Sequence, residues 1–144
     1  MAGEFHDVVA QRLRVVQQRY TRNRRALVDA LETAEHPLTI PEILDADASL
    51  AMSSVYRNLA VLEQADVVHR VVTTDEFARY ELVEDLTEHH HHLICSSCGK
   101  VEDFTPTPAL ERSAADALAR IADQAGFRVH SHRLDVVGLC HRCA

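Results

Sequence analysis

His89-His90-His91-His92-Leu93-Ile94-Cys95-Ser96-Ser97-Cys98-Gly99-Lys100 is the stretch on which the reading of this chain turns, and Cys140-His141-Arg142-Cys143 is its counterpart downstream. A CxxC pair lets both sulfurs face one metal about 2.3 Å away in tetrahedral geometry, so two pairs supply four thiolates and leave no open position. Cys95, Cys98, Cys140 and Cys143 therefore read as one closed, structural Zn²⁺ site. The competing readings are a redox pair or free thiols, but a redox CxxC normally comes as a single motif in a thioredoxin-like context. The zinc is expected to tie the last strand of a small domain to its first, where such a staple decides whether the domain folds.

The histidines open a β-like run, and side chains alternate between the two faces of a strand. His90 and His92 then share one face, and His89 and His91 the other, so one tract can feed two metal sites back to back. Other imidazoles and carboxylates available as ligands are His36, His69, Glu81, Glu102, Asp103, Glu111, His130 and His132. Such donors suit zinc, iron(II), manganese or nickel with little discrimination by softness.

Upstream, apolar residues recur at helical spacing. Phe5, Val8, Val9, Leu13 and Val16 mark a first helix, and Ala26, Leu27, Ala30, Leu31 and Ala34 a second that follows Thr21. Thr39-Ile40-Pro41-Glu42 joins an N-cap threonine, an early proline and a capping-box glutamate, predicting a short helix through Leu44. Ser53 to Gln64 predicts a further helix that buries Val55, Leu59 and Leu62. The period then changes to that of strands at Val67 to Val72 and Arg79 to Val83, around the polar loop Thr73-Thr74-Asp75-Glu76. Helix, helix, turn, helix and hairpin is the order of a winged helix, the hairpin being the wing. The acidic, aperiodic Glu84 to Glu88 reads as a hinge. Beyond it the pattern predicts strands at His90 to Cys95 and Lys100 to Phe104, a helix from Pro108 to Ala125 stopped by Gly126, and a strand from Arg128 to Val137. The expected architecture is α+β: a winged-helix DNA-binding domain over 1–83 and a small α/β metal-binding domain over 84–144, hinged at about 83–88.

The chain has 144 residues, 47% of them hydrophobic but only 5% aromatic and none tryptophan, so Leu, Val, Ile and Ala must fill its core. No apolar run approaches the roughly 18 residues that span a bilayer. Met1-Ala2-Gly3-Glu4 lacks the basic and apolar regions of a signal peptide, so a cytoplasmic protein without membrane contact is expected. Its formal net charge of -7 argues against nucleic acid, yet Arg12, Arg14, Arg19, Arg22, Arg24 and Arg25 lie between Val8 and Val28 with no acid among them. Salt screens charge beyond ~8 Å, so a local basic patch can attract phosphate on an acidic protein; a solvated helix face is the plainer reading. The Ser53-to-Gln64 helix suits a major groove, with Ser53 and Ser54 in its first turn and Ser54, Tyr56, Arg57 and Asn58 directed outward. Arginine can pair with guanine O6 and N7 in a bidentate fashion, which suits Arg57, and Tyr56 can pack on a thymine methyl or bond a phosphate. Arg22 and Arg24 read as phosphate contacts, which position a protein without specifying sequence.

The pattern resembles the ferric uptake regulator family. The residues that carry the resemblance are Thr21-Arg22-Asn23-Arg24, Ser53-Ser54-Val55-Tyr56-Arg57-Asn58-Leu59, Arg79-Tyr80-Glu81-Leu82, the His89-to-Lys100 block, Gly126-Phe127 and Gly138-Leu139-Cys140-His141-Arg142-Cys143. The resemblance implies a homodimeric repressor, with 84–144 as its dimerisation and metal-binding domain, that binds palindromic double-stranded DNA operators when a regulatory metal is bound. It matches the four cysteines to structural zinc ligands, and Glu81, His90 and His92 to a sensing site at the hinge, with His36, His69 or Asp103 as its further ligand. It matches His89, His91, Glu111 and His132 to a second site, Glu111 with a one-residue shift. The regulatory metal it implies is Fe²⁺ or Zn²⁺, with Mn²⁺ also possible; Glu81 weighs against the peroxide-sensing type and the cysteine-ligated zinc type. Two departures stand out. Arg22 replaces the family's proline at the start of the second helix, and no glycine lies between Thr73 and Phe77 in the wing.

Two other classes compete. A zinc hydrolase would use histidines and carboxylates around an open metal, but no HExxH and no nucleophile arrangement is present. A metal-storage or chaperone protein explains the histidines but not the Tyr56-Arg57 helix or the arginine run. The expectation is a repressor of metal homeostasis and not an enzyme.

Overall fold

The computed structural model describes residues 2–71, 73 and 77–144. Val72 and the wing tip 74–76, which the hairpin reading covers, lie outside them.

Helix α1 (Ala2–Val15) buries Val9 and Leu13 completely. Thr21, in extended conformation, accepts from the Arg24 backbone N–H and so caps α2 (Arg22–Thr33), whose Leu27, Val28 and Leu31 are buried. The backbone then makes a two-residue strand, β1 (Leu38–Thr39), too short to leave a periodic signal. Thr39 also opens α3 (Ile40–Ala46) with the expected capping box, and the helix runs two residues past Leu44. Helix α4 (Met52–Gln64) buries Val55, Leu59 and Leu62, as its spacing predicts, and Asn58 as well. After Asp66, at φ 60, come β2 (Val68–Val71) and β3 (Arg79–Leu82). The sheet order is β1-β3-β2, both pairings antiparallel. One apolar core runs from Val9 to Leu82, with Ile43 and Val67 also fully buried. Each such side chain contributes roughly 1.5–3 kcal/mol relative to exposure, and these contacts seat the sheet on the helices.

The stretch read as an aperiodic hinge contains a 3₁₀ turn at Glu84–Leu86. Arg12 of α1 reaches both Asp85 in that turn (Nη2–Oδ2 2.5 Å) and the Asp66 carbonyl (2.7 Å). Strands β4 (His91–Cys95) and β5 (Val101–Phe104) pair antiparallel. Helix α5 (Pro108–Gln124), capped by Thr107, ends on Gly126 at φ 80. The Phe127 N–H to Ala122 carbonyl bond (2.7 Å) and the Gly126 N–H to Asp123 carbonyl bond (3.1 Å) complete a Schellman closure, which needs the left-handed conformation that glycine adopts freely. The last strand is a correction. The pattern predicts strand from Arg128, but only β6 (Asp135–Gly138) is strand, because only there does the chain meet β4. That pairing is parallel, and the sheet order is β5-β4-β6. From β4 onward the buried apolar side chains, among the described residues, are Ile94, Cys95 and Val101. No helix in the described residues is long and apolar enough to cross a membrane.

Candidate metal centres and nucleic-acid face

Three groups of ligand atoms gather around β4. The first joins its C-terminal end to the end of β6, where Cys95 stands opposite Gly138. The donor atoms of Cys95, Cys98, Cys140 and Cys143 all lie within 4.8 Å of one another, and Cys98 Sγ is 3.8 Å from Cys140 Sγ. Gly99 at φ 77 makes the tight turn that returns the chain to β5, closed by the Cys95 N–H to Lys100 carbonyl bond (2.9 Å). Backbone N–H groups of Cys140 and Cys98 point at Cys95 Sγ, each at 3.5 Å, and hold its thiol pKa below the usual value. The Ser97 hydroxyl lowers Cys143, but the crowding of the other cysteines outweighs it and the Cys143 thiol is pushed up. Four thiols with no disulfide among them, converging on one point, fit a thiolate-bound cation.

The second group lies on one face of β4. Glu81 of β3 is 8% exposed and stands opposite His69 of β2 in the antiparallel register. Its carboxylate meets His69 Nε2 at 2.8 Å, His90 Nε2 at 3.0 Å and His92 Nε2 at 3.0 Å. Asp103, paired with His92 across β4 and β5, closes the ring, with Oδ1 3.6 Å from His92 Nε2 and Oδ2 3.9 Å from His90 Nε2. Burial raises the Glu81 carboxyl, but hydrogen bonds with the three histidines outweigh it and hold it well below the usual carboxylate range. The bond to Glu81 raises His90 to about 9. Burial lowers His92, and Glu81 more than reverses that. Desolvation raises Asp103, whose Oδ1 is buried with no hydrogen-bond partner. Glu81, His90, His92 and Asp103 thus share one centre, with His69 beside Glu81. His36 lies outside that ring of contacts, its Nδ1 2.9 Å from the Pro37 carbonyl, and lines one cavity with Glu81, His90 and Asp103.

The third group takes the opposite face, as alternation demands. Glu111 of α5 lies 2.9 Å from His91 Nε2, 2.8 Å from His89 Nε2 and 2.6 Å from His132 Nε2. The Nε2 atoms of His89 and His132 are that near but poorly aligned, so both remain buried without a hydrogen bond. Orphaned imidazole nitrogens aimed at a shared carboxylate are what a cation would satisfy. Three participants escaped sequence reasoning. Glu84 of the 3₁₀ turn contacts His89, Asp135 Oδ1 lies 3.3 Å from His92 Nδ1, and Arg133 reaches His69. Asp135 faces His92 only through the parallel β4–β6 register, which no local pattern encodes.

A further trio, His6, Asp29 and Glu32, sits between α1 and α2. Both His6 nitrogens are engaged, Nδ1 with the Tyr20 hydroxyl (2.7 Å) and Nε2 with Asp29 (3.2 Å), which anchors α1 to α2.

Helix α4 presents Ser53, Tyr56 and Arg57 outward, with Tyr56 59% exposed, and Arg22 is exposed on α2. Asn58 departs from its expected outward position because the interior satisfies it. Its Nδ2 donates to Ser54 Oγ (3.0 Å) and its Oδ1 accepts from Arg24 Nε (3.0 Å). Arg24 also donates to the Arg19 carbonyl (2.7 Å), and Asn23 reaches Ser54 Oγ (3.3 Å). Ser54 and Arg24 therefore join α2 to α4, while Tyr56, Arg57 and Arg22 remain free to face outward.

A family model described as "ferric uptake regulator family" matches residues 16–137. The chain belongs to this family. Among curated members it is 30% identical to the ferric uptake regulation protein of Campylobacter jejuni, over 96% of this chain and 90% of the relative. It is 33% identical to the peroxide operon regulator of Bacillus subtilis, over 88% and 84%. Among solved structures, the Helicobacter pylori ferric uptake regulator, described as having three functional metal binding sites, superposes with a TM-score of 0.74 at 24% identity over 99% of this chain and 93% of that one. A zinc-bound manganese uptake regulator gives 0.65 at 31% identity over 94% and 98%. The family fold is the one described above, α+β with an N-terminal winged helix and a smaller C-terminal α/β part.

Proposed function

We propose that the chain is a metal-responsive, DNA-binding transcriptional repressor of metal homeostasis, acting as a homodimer in the cytoplasm. The observation that carries this reading is Glu81: a winged-helix side chain that gathers His90 and His92 of the following sheet into one cluster. We assign the division at about residue 83 to two domains that meet there. The four cysteines are assigned to structural Zn²⁺, the Glu81 cluster to a regulatory Fe²⁺ or Zn²⁺ (or Mn²⁺), and the Glu111 cluster to a second site. When bound, a divalent ion supplies a positive centre for carboxylate and imidazole donors of both halves. Glu81 comes from the wing strands, with His69 hydrogen-bonded to it, and His90, His92 and Asp103 come from the β4–β5 hairpin. Holding these donors together fixes the angle at which α4 projects, and half-site spacing on DNA makes that angle matter. The switch is bounded by the preference of the effector for the closed state over the open one.

Dimerisation is supported by what one chain leaves uncovered. Helix α5 buries none of its residues, and Leu110, Ile121, Phe127, Val136, Val137 and Leu139 are exposed large apolar side chains. Apolar exposure of this extent marks an interaction surface. The test is binding of protein that retains its cysteine zinc to its own promoter DNA under buffered Fe(II), Mn(II) and Zn(II). Metal-dependent binding that is lost in Glu81→Ala/His90→Ala supports the reading. Equal binding under all conditions refutes it.

A further inference from the structure

We propose that Arg133 decides what His69 does at the Glu81 cluster: it holds His69 as a hydrogen-bond donor to Glu81 and keeps it out of the metal's ligand set. This rests on the reading of that cluster as a metal site. His69 uses both ring nitrogens. Its Nε2 lies 2.8 Å from Glu81 Oε1, and its Nδ1 lies 2.9 Å from an Arg133 guanidinium nitrogen. A guanidinium carries only donors and does not lose its proton in proteins. Nδ1 must therefore offer its lone pair to Arg133, which puts the ring proton on Nε2, aimed at Glu81. Neither nitrogen then has a lone pair left for a metal. Ligation through Nε2 would require the proton to move to Nδ1, where it would oppose the Arg133 N–H. The Arg133 contact and His69 ligation exclude each other.

His90 and His92 show the opposite arrangement. The Nδ1 of His90 faces the Glu88 carbonyl oxygen at 2.9 Å, and the Nδ1 of His92 faces Asp135 Oδ1 at 3.3 Å. Both partners are acceptors, so each Nδ1 carries a proton, and loss of the other proton frees Nε2 to ligate. This is the outer-shell pattern of metal-bound histidines. The chemistry of the second contact thus sorts three similar imidazoles into two ligands and one positioning residue. Arg133 comes from the segment before β6, so it also ties the C-terminal half to wing strand β2.

The test uses the full chain with its cysteine zinc in place and the other sites stripped. Long-range ¹H–¹⁵N NMR at neutral pH should show His69 as the Nε2–H tautomer, and Arg133→Met should abolish that preference. Co(II) is then titrated in. His69→Ala should weaken Co(II) binding about tenfold, as loss of an outer-shell partner does, while leaving the ligand-field spectrum unchanged. His90→Ala should alter the spectrum. In Arg133→Met, His69→Ala should now change the spectrum as well, because the freed ring has joined the ligands. A wild-type His69 found as the Nδ1–H tautomer overturns the proposal, as does a His69→Ala spectrum altered in the way the His90→Ala spectrum is. If His90→Ala leaves Co(II) binding intact, the metal-site reading of the cluster fails, while the tautomer still decides for or against the action of Arg133.

Discussion

Loading the Glu81 cluster with a divalent ion is expected to expel close to one proton from His90 at neutral pH. In the metal-free protein the bond to Glu81 chiefly raises His90 to about 9 from an ordinary 6.5, and the Glu88 carbonyl adds to it. At pH 7 His90 is therefore an imidazolium in nearly every molecule, whereas an unperturbed histidine is charged in only about a quarter of them. Ligation needs the Nε2 lone pair, so that proton must leave. The gap from about 9 to pH 7 is about two units, or roughly a hundredfold in apparent affinity and about 2.7 kcal/mol. Affinity should then rise about tenfold per pH unit from 7 to 9 and level off above. His92 is also raised and steepens the lower part of the curve. Calorimetric Zn²⁺ titration against a competing chelator, in buffers of different ionisation enthalpy, counts the protons released. A release near one quarter of a proton at pH 7, with affinity flat above about pH 7.5, would refute the argument.

In the metal-free fold the same groups act on stability with opposite signs. His90 is raised, so its contribution is complete below its ordinary 6.5 and is lost as pH climbs through about 9. Glu81 is lowered, so its contribution is present above its ordinary 4.5 and is lost as pH falls. Urea midpoints should therefore be higher at pH 6 than at pH 9, and equal midpoints would contradict this. Cys95→Ser, or chelation of the cysteine zinc, should unfold the region from β4 onward and leave the Val9-to-Leu82 core intact, which far-UV circular dichroism and limited proteolysis will read. Leu59→Ala, at a site 1% exposed, should cost about 2–5 kcal/mol in denaturant titration. Arg57→Ala should cost about 1–3 kcal/mol at one operator base pair and leave metal binding unchanged, as footprinting and metal titration will show.

Much of this was legible because the decisive signals are local. The capping box at Thr39, the Val55–Leu59–Leu62 spacing and the alternation of His89 to His92 each follow from one element's own geometry. What escaped depends on contacts between elements. β1 is two residues long and exists only because β3 offers it partners. Residues 128–133 have strand-like composition, but among the described residues no strand pairs with them. Asn58 reads as outward until Arg24 and Ser54 satisfy it. Asp135 and Arg133 enter the Glu81 cluster through the parallel crossover, far from His92 and His69 in sequence.

β4 carries His91 toward one cluster and His92 toward the other, then delivers Cys95 to a third. Its length is therefore constrained more tightly than its composition. Exchanging a single ligand weakens one centre. Deleting or inserting one residue immediately after Glu88 would turn every following side chain to the other face. The Glu81 and Glu111 clusters would trade imidazoles, and the thiol would leave the position opposite Gly138 where Cys140 meets it. Along this strand, substitutions can tune the response of the protein one site at a time, whereas a single change in residue count would move the thiol and exchange imidazoles between the two histidine clusters in one step.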